Sequence, residues 1–132
     1  MPENSTFQPG AIALVSPLSA TLGFSEAIAA IAATAAQRER EQRLPHEEIA
    51  TLKALGFGAL RLSADDGGRG LSLSELFAVA RDVAAADSNI AHALRNHFWQ
   101  VEAALKHRAL PFHAHVLDLV RQRKTIGLSY RR

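Results

Sequence analysis

The chain has 132 residues, enough for one domain with a modest core and too few for several. Apolar residues make up 48% and charged residues 21%, the balance of a globular protein rather than a disordered one. With no cysteine, disulfides and thiolate metal sites are excluded. A formal charge of +2, with no basic patch interleaved with aromatics, argues against nucleic acid as a partner.

Residues 1–22 hold Pro2, Pro9, Gly10 and Pro17 among serines and threonines, and read as a flexible or loosely docked leader. Glu3 stands where a signal peptide would carry positive charge, and no long apolar run follows. The alanine-rich residues 27–36 are too few and too weakly apolar to span a bilayer, so a cytoplasmic protein with no membrane partner is expected.

The spacing predicts five helices. Ser25 is placed to cap the first, with Ile28, Ile31, Ala32 and Ala35 on its buried side and an end among the charges near Arg40. Pro45 opens the second, Glu47 and Glu48 favour its positive N-terminus, Ile49, Leu52 and Leu55 form its stripe, and Gly56 ends it. Phe57 to Leu62 reads as a short extended connection, followed by a turn at Gly67-Gly68-Arg69-Gly70. Ser72 and Glu75 fit a capping box for the third helix, with Leu73, Leu76, Phe77, Ala80, Val83 and Ala84 on one side. Asp87 or Ser88 caps the fourth. The fifth begins near Pro111 and should bury Phe112, Val116, Leu119 and Val120. No stretch alternates strictly enough for a sheet, so the fold class is all-α.

Most chemical motifs dissolve on inspection. The glycine cluster lacks both the wider spacing of a dinucleotide loop and the Gly-Lys-Ser/Thr ending of a P-loop, leaving a tight turn that needs positive φ. His113 and His115, two apart, point to nearly opposite sides of a helix, so no metal site is expected there. Glu47 and Glu48 diverge as helix neighbours and do not form a catalytic pair. Trp99 falls on an otherwise polar helix face, where polypeptide from outside this chain could cover it.

One histidine stands apart. In the fourth helix Ile90, Leu94, His97, Val101 and Leu105 share a face at about 100° per residue, and only His97 is not aliphatic. Left unpaired in a core, its ring would cost on the order of 1–3 kcal/mol. Its partner is therefore either a buried carbonyl or a ligand.

Three segments occur in a telling order: Arg43-Leu44-Pro45-His46-Glu47-Glu48-Ile49, Leu52-Lys53-Ala54-Leu55-Gly56-Phe57, and Gly67-Gly68-Arg69-Gly70-Leu71-Ser72. From about Ala36 to Gln122 the chain resembles the N-terminal helical domain of the acyl-CoA dehydrogenase superfamily. Residues 85–91 and 94–98 are most similar to its flavin-dependent monooxygenase branch, which acts in sulfur acquisition and desulfurisation. The resemblance implies a five-helix domain over residues 23–123, reduced flavin (FMN or FAD) as cofactor, and a small sulfur compound as substrate. It also implies a flavin reductase as partner and homo-oligomers for full-length relatives. It places His97 and Asn96 at the flavin, with His97 near the reactive edge as the catalytic candidate that bonds or passes a proton. Full-length members continue into a β-domain and a helical bundle that grip most of the flavin. Residues 124–132 read as a basic tail at the start of that missing β-domain, so the expectation is a truncated chain, inactive alone. Two other readings stand beside this one: a fragment of an FAD-dependent acyl-CoA dehydrogenase, and a non-catalytic helical module that self-associates through exposed apolar surface.

Overall fold

The computed structural model describes residues 15–127, and among these there is no β-strand. Six α-helices follow in order: α1 Pro17–Thr21, α2 Ser25–Arg40, α3 His46–Ala54, α4 Leu73–Ala86, α5 Ser88–Lys106 and α6 Pro111–Arg121. Helix α4 packs against α1, α2 and α5, and α5 carries α6 on its far half.

The boundaries follow from local chemistry. At α4 the Glu75 amide donates to Ser72 Oγ at 3.1 Å, and the Ser72 amide donates to Glu75 Oε1 at 2.9 Å, a reciprocal box that satisfies two end donors. Asp87, alone between α4 and α5, takes extended backbone and caps α5 by accepting from the Asn89 amide at 3.0 Å. Other starts differ by a residue from expectation. Phe24 rather than Ser25 occupies the cap of α2, and Pro45 caps α3 rather than beginning it. Gly67 and Gly70 take positive φ in the predicted turn, and a Cβ on Gly68 would meet the Leu62 carbonyl oxygen at 2.1 Å.

Residues 57–62 are not extended. Phe57–Ala59 form a 3₁₀ turn, and the next turn is closed by the Leu62 amide donating to the Ala59 carbonyl. The cause is burial on two sides. A three-residue period sends Phe57 and Leu60 into one apolar cluster with α2, α4 and the first half of α5. The same period sends Ala59 and Leu62 into a second cluster with Val101, Ala104 and the α6 residues Val116, Leu117 and Val120. Alternation would instead have put Phe57 with Ala59 and Leu60 with Leu62, mixing the two sets.

Some apolar residues lie outside these clusters. Phe77 and Phe112 were expected inside but are 64% and 62% exposed, and Leu73 and Leu55 are also exposed. Helix α6 meets α5 through Val116, Leu117 and Val120, which leaves Phe112 in the first turn beyond the contact and Leu119 half-buried.

Two buried polar centres tie the helices together. Arg38 of α2 is almost fully buried. Its Nη2 donates to Asp87 Oδ2 at 2.7 Å and to the Ile31 carbonyl at 3.1 Å, while its Nη1 donates to Glu48 Oε1 at 2.9 Å. One guanidinium thus joins α2, α3 and the α4–α5 junction. Burial raises the Glu48 carboxyl, but its own backbone N–H and the charges of Arg38 and Arg43 outweigh that and hold it below the ordinary value.

The second centre docks part of the expected leader. Ser16 caps α1, Pro17 pre-sets its first turn, and Ser19 is fully buried. The Ser16 amide, Ser16 hydroxyl and Ser19 hydroxyl donate to Asp82 Oδ2 of α4 at 2.9, 2.6 and 2.6 Å. Residues 1–14 of that leader lie outside the described residues. Burial raises Asp82, yet the bonds from Ser16 and Ser19 prevail and its carboxyl titrates below the ordinary value.

Replacing Asp82 by Ala should cost about 1–3 kcal/mol at pH 7, read from urea denaturation, because three donors lose their acceptor. A lowered folded pKa means that the stabilisation is complete above the unfolded aspartate value of about 3.9 and fades as pH falls through the folded one. The gap between wild type and Asp82→Ala should therefore narrow in acid.

Candidate functional site

His97 lies midway along α5, with Ile90 and Leu94 of the first apolar cluster on one side and Val101 and Ala104 of the second on the other. Its side is the one the helical period predicts, and the residue is 1% exposed. Two backbone groups hold the ring. Nε2–H donates to the Gly58 carbonyl oxygen at 2.8 Å, and Nδ1 accepts from the Ile126 amide at 3.1 Å. Since an amide N–H can only donate, Nδ1 must be bare, and the neutral Nε2–H tautomer follows. Burial pushes the imidazole pKa below 6.5; the Gly58 bond partly opposes this, and the Lys53 charge adds to it.

Both ring nitrogens are therefore engaged by this chain, and neither points at an open cavity. Of the two partners considered, a carbonyl and a ligand, the structure supplies the carbonyl. The packing leaves little latitude: a Cβ on Gly58 would sit 2.9 Å from His97 Nε2. Neither Gly58 nor Ile126 carries a side-chain signal of this role. Asn96 does not share the site. It is half-buried on another face of α5, where it lines a shallow recess with Arg95 and Trp99.

Beside that recess runs an apolar groove of about 370 Å³ between α4 and α5. Leu76, Phe77 and Ala80 form one wall, Leu94, Phe98 and Trp99 the other, and Phe57 contributes from the 3₁₀ turn. Trp99 is 63% exposed, on the outward side that its sequence position suggests. The Phe57 and Phe98 rings meet edge-on at 5.5 Å, and Phe98 meets the His97 ring similarly at 5.2 Å. At the end of the groove, Glu102 is held by Arg61, whose Nη2 donates to Glu102 Oε2 at 3.0 Å.

The remaining histidines form no cluster with it. His113 Nδ1–H donates to the His107 carbonyl at 3.2 Å and the two rings stack at 5.7 Å. Among the described residues no three His, Cys, Asp or Glu side chains converge for a metal ion, and no helix is long and apolar enough to cross a membrane.

An all-helical layer with one apolar groove and a capped α4–α5 hairpin is the class of module defined by these features. Residues 25–109 match the family model described as the acyl-CoA dehydrogenase N-terminal domain, and the chain belongs to that family. No curated protein and no solved structure matches it.

The family generally uses flavin. The described residues fit at most one apolar side of such a group. The amides of Gly68 and Gly70, which might have cradled a phosphate, donate instead to the carbonyls of Ser63 and Leu62. The groove walls are almost entirely hydrocarbon. No polar cradle for a flavin is present among the described residues.

Gly58→Ala should destabilise the protein by about 1–3 kcal/mol through overpacking against the imidazole. Gly127→Ala, where an added Cβ meets nothing within 4 Å, serves as the control and should be near neutral. Thermal unfolding of the two variants checks both.

Proposed function

We propose that this chain is the helical layer of a reduced-flavin-dependent monooxygenase acting on a small sulfur compound, with the α4–α5 groove as one wall of the substrate site. The single observation that carries the reading is this groove, apolar and of a volume suited to one small molecule, in a domain of this family. The similarity of residues 85–91 and 94–98 to the monooxygenase branch favours sulfur oxidation over acyl thioester oxidation.

Flavin and its polar contacts come from other polypeptide, and a separate reductase supplies the electrons. Asn96, in the recess beside the groove, is available to a flavin that borders the substrate there. His97 contributes in this reading by positioning the Gly58 turn, and with it Phe57, rather than by offering a free nitrogen.

Calorimetry on the purified chain should detect no saturable FMN or FAD binding in the micromolar range. Dibenzothiophene should shift the indole N–H resonance of Trp99, the single tryptophan, and Ala80→Leu should weaken that binding at least tenfold, about 1.4 kcal/mol, by filling the groove. Octanoyl-CoA binding in the groove, with no response to the sulfur compound, would favour the dehydrogenase reading instead.

A further inference from the structure

We propose that His97 is a proton-operated latch: the neutral ring ties residues 125–127 to the Gly58 turn, and a proton on Nδ1 releases them while the Gly58 bond stays. The inference follows from the two bonds and their unequal response to charge. Nε2–H donates to the Gly58 carbonyl in both protonation states, and an imidazolium donates to it more strongly. Nδ1 can accept the Ile126 N–H only while it is bare. Once protonated, it would face that amide donor to donor, and the bond becomes repulsive.

The surroundings decide where the latch opens. From α3, Lys53 faces the ring with positive charge. From the outgoing segment, Arg123 donates to the Ala54 carbonyl, and Lys124 is exposed. The 3₁₀ turn brings only Phe57, Gly58 and Ala59, and the inward residues of α6 are Val116, Leu117 and Val120, all uncharged. On α5 the neighbours one turn away, Ala93, Leu94, Gln100 and Val101, are uncharged too. No carboxylate bonds the ring among the described residues. Protonation is therefore resisted, and the latch stays closed through neutral pH.

The consequence is confined to one segment. Lys124 remains fixed by its backbone N–H donating to the Leu119 carbonyl, and Arg123 remains on the end of α3. Ile126, half-buried against the second apolar cluster, has His97 as its polar hold. Opening frees residues 125–127 without dismantling a helix.

Amide hydrogen exchange and ring ¹⁵N shifts, followed by NMR against pH on the whole chain, test this directly. Ile126 protection should be constant above pH about 6.5 and then fall about tenfold per pH unit, the slope of one proton, once acid begins to charge the ring. The Ile90 and Leu94 amides of α5 should keep their protection across the same range. A His97→Gln variant, which cannot titrate, should show Ile126 protection independent of pH. The proposal is overturned if Ile126 stays protected after the ring shifts report protonation. It is equally overturned if Ile126 and α5 lose protection together, or if Ile126 of His97→Gln follows the wild-type pH profile. Should that variant fail to fold, the wild-type ring and amide titrations decide the matter between them.

Discussion

A buried imidazole between two apolar clusters is the constraint around which the rest of the structure is arranged. Helix α5 is long enough to serve both clusters, and His97 occupies the place where one gives way to the other. An aliphatic residue there would fill the space but leave the Gly58 carbonyl and the Ile126 amide facing each other's neighbourhood with no partner. A neutral ring, donor on one side and acceptor on the other, suits two backbone groups of opposite polarity. The 3₁₀ turn is held by this bond, and the four apolar residues Phe57, Ala59, Leu60 and Leu62 of the connection are then divided between the clusters.

Arg38 does comparable work at the other end of the bundle. Burying a guanidinium is costly unless several acceptors surround it, and here two carboxylates and a carbonyl do. Its worth is less in net stability than in register. Glu48 fixes where α3 lies on α2, and Asp87 fixes where the α4–α5 hairpin meets both. Apolar contact between alanine-rich helices, with few large side chains to interlock, would specify neither position as sharply.

Much of this was legible in the residues. The 3.6-residue period set the helices and put His97 inward, while the Ser72–Glu75 pair and Asp87 marked real ends. The features that escaped are those whose causes lie far along the chain. Helix α1 depends on Asp82, some 66 residues from Ser16, and nothing near Pro17 announces that acceptor. The partners of His97 are backbone atoms 39 and 29 residues away, and a main-chain N–H or C=O looks the same in every sequence. Phe77 and Phe112 were misplaced for a related reason: hydrophobicity tells that a ring prefers cover, not whether this chain supplies it.

The α4–α5 junction contains one non-helical residue, Asp87, which ends one rod, caps the next and receives Arg38. So short a joint leaves no slack for compensating a change in length. A single residue inserted there would turn α5 by about 100° about its axis, carrying its inward face out of register with both clusters. The imidazole would swing away from its carbonyl, and the groove would lose an aromatic wall. This corner is rigidly geared.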